Sequence, residues 1–327
     1  MKPKVIISTG MRNRILRRFE DLLNDVAEVK FIPSWKTEQF FEELKDAVAL
    51  VVFHEYVDKN LLEHAPKLKI VSRFGVGYDR VDVEACTERG ICVTNTPGVL
   101  SRAVAELTMA LMLALSRKLC VADQYVRTEW GKPNRELLPL REDLADKTLG
   151  IIGLGRIGYE VARRAKAFDM NLVYYDKVRN EKAEKELDAR FMPLDDLLSR
   201  SDFVTIHVPL TPETAKLIGA KELRCMKKTA YIINTSRGPV IDEQALCRAL
   251  KEGWIAGAGL DVYTVEPLPL DSPLVKMGNV VLTPHMGTHT VETRHRMVST
   301  IVEDIRKVLK GKAPSRIVPE QKGRLPS

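Results

Sequence analysis

The chain has 327 residues, five cysteines and a formal net charge of +7, from 51 basic and 44 acidic side chains. This length predicts two domains, and the scattered cysteines argue against a disulfide framework or a zinc site. No apolar run is long enough to cross a membrane, and no nucleic-acid-binding motif accompanies the basic side chains. We therefore expect a cytoplasmic protein that binds neither a membrane nor nucleic acid, and whose positive charge suits small anionic ligands.

Short apolar runs alternate with amphipathic segments over the first hundred residues. Strands are predicted at residues 5–7, 29–32, 49–53, 68–72 and 91–93, and helices at residues 14–27, 40–47 and 61–64. The run at 49–53 is apolar throughout, which is typical of a strand buried in a parallel sheet. The alternation predicts a first doubly wound α/β domain that lacks a glycine-rich dinucleotide motif.

A glycine loop, Arg73-Phe74-Gly75-Val76-Gly77-Tyr78-Asp79, follows the predicted strand at 68–72. Loops at the carboxyl ends of parallel strands form the ligand sites of such sheets, and exposed backbone amides can hold a carboxylate. The same loop is also compatible with an ordinary turn between a strand and a helix. This segment alone does not decide between the two interpretations.

Residues 101–118 form a predicted helix that is apolar on several sides, which indicates burial between domains or subunits. The polar segment at 126–146, which glycine and proline interrupt, predicts a long loop of the kind that covers a site or forms an interface. We place the crossing between domains at this helix. Residues 1–100 and 286–327 then form a discontinuous substrate domain, and residues 101–285 form a nucleotide-binding domain.

The most informative motif spans residues 149–176. An apolar strand leads directly into Gly153-Leu154-Gly155-Arg156-Ile157-Gly158, followed by an amphipathic helix and a second strand that ends at Asp176. The first two glycines allow a tight turn close to a pyrophosphate, and the third allows close packing of helix and strand. The helix N-terminus offers N–H groups to phosphates, and Asp176 can accept hydrogen bonds from a ribose diol. The unit predicts a Rossmann-type site for NAD.

Three ionisable side chains, Arg237, Glu266 and His285, each follow a different predicted strand. These strands are predicted at residues 230–234, 256–262 and 280–283. Each side chain alone has an ordinary structural explanation, but the carboxyl ends of parallel strands meet at one edge of the sheet. There, Arg237 can pair with a carboxylate through two hydrogen bonds, His285 can transfer a proton, and Glu266 can orient the imidazole. The set fits hydride reduction of a 2-oxo acid without a metal.

In this order, the motifs resemble the NAD-dependent D-2-hydroxyacid dehydrogenase family over nearly the whole chain. The matching segments are 74–79, 153–158, 207–211, 234–238, 259–262 with Glu266-Pro267, and 283–285. The resemblance implies two doubly wound parallel-sheet domains, with a Rossmann-type nucleotide domain inserted into a flavodoxin-like substrate domain. It also implies Arg237, Glu266 and His285 as catalytic residues, and a homodimer built on the helix at 101–118 and the loop after it.

The resemblance further implies the residues that bind cofactor and substrate. The NAD site would consist of Gly153, Gly155, Arg156, Ile157, Gly158, Asp176, His207, Val208, Pro209, Thr235 and Asp261. The substrate would contact Arg73, Val76 and Gly77. Within the family the chain is most similar to glyoxylate/hydroxypyruvate reductases and to the catalytic core of 3-phosphoglycerate dehydrogenases, whose shared motifs do not identify the substrate. Formate-type members of the family carry Gln at the position of Glu266, so this residue argues against a formate-type enzyme.

Two other functions remain open at this point. An NAD-sensing corepressor on the same fold can retain the three ionisable residues, and a phosphite-oxidising relative shares them. Turnover of NADH with a panel of 2-oxo acids distinguishes an enzyme from a sensor. Asp176 predicts a preference for NADH over NADPH, because a 2′-phosphate would lie close to a carboxylate, whereas Lys177 and Arg179 weaken this preference.

Overall fold

The structure is a computed structural model that describes residues 2–9, 13–32, 37–131 and 142–325. It divides into two compact units, which we call the first unit (Met1–Leu100 and Thr288–Ser327) and the second unit (Ser101–Gly287). Each unit contains one sheet, and the strands of both sheets pair in parallel. The predicted α/β class with two doubly wound sheets is confirmed.

The sheet of the first unit has five strands among the described residues. They are β1 (Lys4–Ile7), β2 (Glu28–Phe31), β3 (Ala47–Val52), β4 (Ile70–Arg73) and β5 (Cys92–Thr94). Their order is β2-β1-β3-β4-β5, which is the order of flavodoxin-like sheets. The helices that connect them are α1 (Arg18–Leu23), α2 (Glu38–Leu44), α3 (Lys59–Glu63) and α4 (Val83–Glu88).

Side-chain caps fix the start of three of these helices. The hydroxyl of Thr37 accepts the N–H of Phe40 at the start of α2 at 3.3 Å. The carboxylate of Asp58 accepts the N–H of Leu61 at the start of α3, and that of Asp82 accepts the N–H of Ala85 at the start of α4, both at 2.9 Å. Such caps satisfy N–H groups that the first helical turn leaves without an intrahelical acceptor. Helix α4 is absent from the sequence-based prediction.

Two predicted helices are longer than the helices that the structure contains. The prediction at 14–27 corresponds to α1 alone. Ala47, which we assigned to the helix at 40–47, is instead the first residue of β3. It is fully buried and pairs with Lys4 of β1. Sheet pairing therefore outweighs the helical spacing of Leu44 and Ala47, as tertiary context often outweighs local preference.

The sheet of the second unit has seven strands among the described residues. They are β6 (Thr148–Ile152), β7 (Asn171–Tyr175), β8 (Arg190–Phe191), β9 (Phe203–Ile206), β10 (Tyr231–Asn234), β11 (Gly257–Leu260) and β12 (Val280–Leu282). Their order is β12-β11-β10-β9-β6-β7-β8. The strand order reverses between β6 and β9, which is where dinucleotide-binding sheets hold their ligand.

Seven helices accompany this sheet in the described part of the second unit. They are α5 (Ser101–Arg117), α6 (Leu119–Thr128), α7 (Arg156–Lys166), α8 (Glu181–Leu187), α9 (Leu194–Arg200), α10 (Ala220–Cys225) and α11 (Glu243–Glu252). The glycine loop between β6 and α7 and the loops after β9 to β12 lie at the carboxyl edge of the sheet. This edge is where the sequence places the predicted nucleotide and catalytic residues.

Helices α5 and α6 differ sharply in burial. Ten of the 17 residues of α5 are buried, and the helix packs on α7, β10 and β11 within the second unit. No residue of α6 is buried, and this helix occupies the start of the segment at 126–146 that we predicted to be a loop. Residues 132–141 of that segment lie outside the described residues.

The chain returns to the first unit through α12 (Val291–Leu309). Residues 312–325, which we call the C-terminal segment, then follow the edge strand β5. Thr94 of β5 forms an antiparallel bridge with Ile317. The buried side chain of Gln321 accepts the N–H of Val93 at 2.7 Å and donates to the carbonyl of Ile91 at 2.8 Å. In the described part of the chain, no helix is both long and apolar enough to span a membrane.

Candidate active site and nucleotide site

The glycine loop between β6 and α7 has the geometry of a pyrophosphate cradle. Gly153 has φ +90°, and a Cβ on it would lie 2.9 Å from the carbonyl carbon of His207. A Cβ on Gly158 would lie 2.2 Å from the carbonyl oxygen of Gly153, so only glycine permits this approach of helix and strand. A Cβ on Gly155 would meet no described atom within 4 Å. Gly153 and Gly158 are therefore in tight contact with neighbouring backbone, whereas Gly155 leaves space on the side where a pyrophosphate would bind.

The first turn of α7 offers its N–H groups on the open side of this loop. Gly155 is the N-cap and contributes no side-chain hydrogen bond, and Arg156 and Ile157 begin the helix. Uncapped N–H groups and the positive end of the helix dipole favour an anion at this position. The arrangement fits the phosphates of NAD.

Asp176, at the end of β7, lies directly against the glycine loop. Its Oδ2 accepts the N–H of Leu154 at 2.7 Å, and its Oδ1 accepts the N–H of Lys177 at 2.7 Å. A carboxylate oxygen can accept more than one hydrogen bond, so Asp176 retains acceptor capacity for a ribose diol. The carboxylate that the sequence assigns to the ribose is thus fixed beside the loop assigned to the pyrophosphate.

The loop after β9 lines the base of the glycine loop with His207 and Val208. The Nε2 atom of His207 lies 2.9 Å from Oγ1 of Thr205, whereas its buried Nδ1 has no partner among the described residues. Burial lowers the pKa of His207 to about 3, so the ring is neutral at physiological pH. The carbonyl of Pro209 accepts the hydroxyl of Thr214 at 2.6 Å, which anchors the end of this loop.

A hydrogen bond joins two of the predicted catalytic side chains. Nδ1 of His285 lies 2.8 Å from Oε2 of Glu266. The other oxygen of Glu266 accepts the N–H of Tyr263 at 3.1 Å. Tyr263 is itself buried, and its hydroxyl donates to the carbonyl of Thr283 at 2.9 Å; burial raises its pKa to about 12. The sequence analysis did not single out Tyr263, although it fixes the carboxylate of Glu266.

Asp261 organises the loop that carries His285. Its Oδ1 accepts the hydroxyl of Thr283 at 2.6 Å and the N–H of Met286 at 2.8 Å, and its Oδ2 accepts the N–H of Gly287 at 2.9 Å. Its backbone carbonyl accepts the N–H of His285 at 2.9 Å. Burial raises the pKa of Asp261, and the three hydrogen bonds to its carboxylate act in the opposite direction.

These contacts hold His285 in an unusual backbone conformation. Its φ of +50° lies in the left-handed region, which few residues other than glycine adopt. Residues held there by surrounding contacts occur frequently at functional sites. The sequence placed Asp261 near the nicotinamide and gave no sign of its contacts with the loop at 283–287, which depend on how two loops meet.

Arg237 follows β10 in a turn shaped by a buried asparagine. Asn234 accepts the N–H of Ser236 at 3.0 Å and donates to the carbonyl of Arg237 at 2.9 Å. A Cβ on the next residue, Gly238, would lie 2.0 Å from the carbonyl carbon of Tyr263. The loop that carries Arg237 is therefore in direct backbone contact with the loop that leads to Glu266. Thr235 is buried, and its hydroxyl lies 3.0 Å from that of Thr108 in α5.

In the first unit, the loop after β4 is braced at two carbonyl groups. The carbonyl of Gly75 accepts the N–H of Thr96 at 2.9 Å, and that of Val76 accepts the side-chain amide of Asn95 at 2.7 Å. The guanidinium of Arg73 folds over the loop and donates to the carbonyl of Phe74. These hydrogen bonds hold the loop that carries the predicted substrate residues Arg73, Val76 and Gly77 against the segment at 95–96.

Comparison with known proteins places the chain in a family. A sequence model of the family described as "D-isomer specific 2-hydroxyacid dehydrogenase, NAD binding domain" matches residues 109–287, more than half of the chain. The chain belongs to the D-isomer specific 2-hydroxyacid dehydrogenase family. The predicted family and the predicted cofactor, NAD, are confirmed.

Individual relatives are similar to this chain over almost its whole length. A glyoxylate reductase from Korarchaeum cryptofilum (strain OPF8) is 46% identical over 324 residues, which cover 98% of this chain and 97% of the relative. An NADPH-dependent glyoxylate/hydroxypyruvate reductase from Sinorhizobium meliloti, solved with NADP and malonate, superposes with a TM-score of 0.87 at 32% identity and covers 98% of each chain.

A D-lactate dehydrogenase from Aquifex aeolicus, solved with NAD and lactic acid, superposes with a TM-score of 0.84 at 32% identity, covering 94% of this dehydrogenase and 96% of that chain. The protein is accordingly an NAD(P)-dependent oxidoreductase of 2-hydroxy and 2-oxo acids. The predicted enzyme class is confirmed, and the roles of individual residues stay predictions.

Proposed function

We propose that the enzyme uses NADH to reduce glyoxylate to glycolate or hydroxypyruvate to D-glycerate, with Arg237, Glu266 and His285 as its catalytic residues. The observation that carries this proposal is the 2.8 Å contact between Nδ1 of His285 and Oε2 of Glu266. It supplies an oriented acid and base on the edge of the sheet that also holds the glycine loop. The named relatives support the substrate class, since glyoxylate reductases match almost the whole chain.

Each catalytic side chain has one task in this proposal. Arg237 binds the substrate carboxylate through two parallel hydrogen bonds, a geometry specific to guanidinium. Glu266 contacts Nδ1 of His285, so we assign proton transfer to Nε2, which donates to the carbonyl oxygen during reduction and accepts from the hydroxyl during oxidation. The nicotinamide, when bound, supplies or accepts the hydride.

The nucleotide would bind along the carboxyl edge of the second unit. The N–H groups at Gly155, Arg156 and Ile157 face the pyrophosphate position, and Asp176 accepts from the ribose. This carboxylate favours NADH over NADPH because the 2′-phosphate of NADPH would carry a like charge to it. In the first unit, we propose that Arg73 and the loop at Val76 and Gly77 bind substrate.

We further propose that the enzyme is a cytoplasmic homodimer. Helix α6 supports a dimer because its apolar side chains face solvent: Leu119 is 52% exposed and Val126 is 50% exposed. Exposed apolar clusters commonly mark interaction surfaces. All five cysteines are free thiols, which suits a reducing compartment.

A panel of 2-oxo acids tests the proposed reaction. Glyoxylate, hydroxypyruvate, 3-phosphohydroxypyruvate and pyruvate are each assayed with NADH and with NADPH, and phosphite is assayed with NAD⁺. We expect the highest kcat/KM with glyoxylate or hydroxypyruvate and NADH. Binding of NADH without turnover of any 2-oxo acid would favour the sensor, and turnover of phosphite alone would favour a phosphite-oxidising enzyme.

His285→Ala is the matched variant for this assay. We expect kcat to fall about 10²- to 10⁴-fold, the usual contribution of a general acid, while the Kd for NADH stays within about threefold. His64→Ala, in the first unit at the end of α3, is the control and should retain wild-type kcat. Near-normal kcat in His285→Ala would remove this residue from the mechanism.

A further inference from the structure

The loop that follows Asp176 contains an arginine already held by a carboxylate. Nη2 of Arg179 lies 2.7 Å from Oε2 of Glu184, and its Nε lies 3.0 Å from Oε1. Two parallel hydrogen bonds from one guanidinium to two oxygens are also the geometry with which arginine binds a phosphate. The N–H groups of Arg179 that could bind a phosphate are therefore already hydrogen-bonded to the carboxylate of Glu184.

Glu184 is fixed in this position by a buried tyrosine. The hydroxyl of Tyr174, whose side chain is fully buried, donates to Oε1 of Glu184. The same hydroxyl accepts the N–H of Asn180 at 2.8 Å, and the side chain of Asn180 donates to the carbonyl of Leu154 in the glycine loop at 2.9 Å. Hydrogen bonds thus connect Glu184 to the loop assigned to the pyrophosphate.

The two partners of this ion pair differ in exposure. The side chain of Arg179 is 63% exposed, whereas that of Glu184 is 22% exposed. The guanidinium of Arg179, followed by the hydroxyl of Tyr174, holds the pKa of Glu184 below its usual value, so the carboxylate is charged at neutral pH. Glu184 is the more fixed partner, and Arg179 is the partner that is accessible to a ligand.

We propose that Glu184 is a specificity-determining residue, because it occupies the guanidinium of Arg179 and withholds it from the 2′-phosphate of NADPH. The inference rests on the nucleotide position assigned under the proposed function. Asp176 repels the 2′-phosphate directly, and Glu184 occupies Arg179, an arginine three residues further along the chain that would compensate for this repulsion. Discrimination against NADPH then comes from two carboxylates with separate actions.

Binding of the two cofactors to four variants tests this division. The Kd values of NADPH and NADH are measured by fluorescence titration for wild type, Glu184→Gln, Asp176→Ser and the double variant. Glutamine retains the contact with Tyr174 and removes the charge. Because an exposed ion pair is weak, we expect Glu184→Gln to tighten NADPH binding about three- to fivefold in the Asp176→Ser background. Glu184→Gln should change the Kd for NADH by no more than about twofold in either background.

A matched control separates release of Arg179 from a general change in charge. Glu181 lies one turn earlier in α8, and no described side chain forms an ion pair with it. Glu181→Gln should leave the Kd for NADPH unchanged in the same background. Arg179→Met should abolish the gain from Glu184→Gln. An equal gain with Glu181→Gln, or a gain that survives Arg179→Met, would overturn the inference.

The outcomes also separate this inference from the proposed reaction. If the double variant binds NADPH no more tightly than Asp176→Ser alone, the role of Glu184 is refuted, whichever substrate the enzyme reduces. Loss of turnover with every 2-oxo acid would refute the proposed reaction while the binding measurements still report on Glu184. Thermal unfolding of each variant, with a Kd for NADH that Glu184→Gln leaves unchanged in the wild-type and in the Asp176→Ser background, shows that this substitution leaves the fold and the nucleotide site intact.

Discussion

At the scale of single residues, the site depends on the contact between His285 and Glu266. The carboxylate of Glu266 holds the imidazole through Nδ1, which leaves Nε2 for proton transfer. We expect Glu266→Ala to lower kcat about tenfold or more in both directions, because a hydrogen bond to a charged group contributes about 1.5–3 kcal/mol. Glu266→Gln can still accept a hydrogen bond from Nδ1 and should lose less. Steady-state kinetics of reduction and of oxidation measure both effects.

A kcat that is unchanged in both directions would show that the contact between Glu266 and His285 does not position the imidazole. Glu243→Gln is a suitable control, because its carboxylate accepts the N–H of Thr264 at 3.0 Å in the same region without contacting His285 in the described structure. Its kcat should match that of wild type.

Asp261 gives a second prediction at this scale. An asparagine at this position replaces one acceptor oxygen by a donor, so one of the N–H groups of Met286 and Gly287 would lose its acceptor. We expect Asp261→Asn to lower kcat at least tenfold, since an unsatisfied buried group costs about 1–3 kcal/mol and His285 is no longer held at its positive φ.

Thr283→Val is the milder comparison for Asp261→Asn. It removes one hydroxyl contact with the Asp261 carboxylate and leaves both backbone contacts intact. Its kcat should lie between those of wild type and Asp261→Asn. Equal thermal destabilisation of the two variants with equal kcat would show that Asp261 contributes to stability alone.

The sequence located the candidate residues but not the contacts that position them. Arg237, Glu266 and His285 were recognised because each follows a strand of one parallel sheet, and strand ends can be predicted from apolar runs. The role of Tyr263 depends on loop backbones that meet at the sheet edge, where its hydroxyl donates to the carbonyl of Thr283. No local pattern encodes those distances, so the supporting contacts required coordinates.

At the scale of elements, the close approach of two loops limits what can replace Gly238. A Cβ there would lie 2.0 Å from the carbonyl carbon of Tyr263, a backbone atom that cannot rotate away. We expect Gly238→Ala to destabilise the protein by about 1–3 kcal/mol, the usual cost of overpacking, and to lower kcat because Arg237 and Glu266 are displaced. Urea unfolding and steady-state kinetics measure both effects.

Gly278→Ala is the matched control for this substitution. A Cβ on Gly278 would have no described neighbour within 4 Å, so stability and kcat should stay close to wild type. If Gly238→Ala behaves like this control, the contact between the two loops has no role in placing the catalytic side chains.

Element types were predicted well where the apolar runs are long and poorly where they are short or face outward. The predicted strands of the first hundred residues correspond to β1–β5, within two residues at most ends. Ala47 was misassigned because an alanine three residues after Leu44 fits a helix as well as the start of a strand. Helix α6 was missed because it buries no residue in its own unit, so no core-facing stripe marks it.

At the scale of the whole molecule, the exposed face of α6 predicts the oligomeric state. If this face forms the subunit interface, a charge placed within it costs the free energy of a buried, unpaired ion. We expect Val126→Asp to convert a dimer into a monomer, as measured by sedimentation velocity. Leu270→Asp is the control: Leu270 is 88% exposed and lies outside α6, and the dimer should persist in this variant.

Either of two results would contradict the proposed interface. A monomeric wild-type protein would exclude the dimer, and a dimeric Val126→Asp would place the interface elsewhere on the surface. The sequence alone led to a dimer through the family resemblance, and the structure adds the specific apolar side chains that test it.

The C-terminal segment against β5 has a consequence for how the protein is made. The second unit is one continuous stretch of chain, so a ribosome delivers all of its residues before α12 emerges. The first unit needs α12 and Gln321 to complete its core and its sheet edge, and both follow the whole second unit in the sequence. Strands β1 to β5 must therefore wait while the second unit is synthesised. During that interval their apolar surface stays incompletely covered, which makes a nascent chain prone to aggregation.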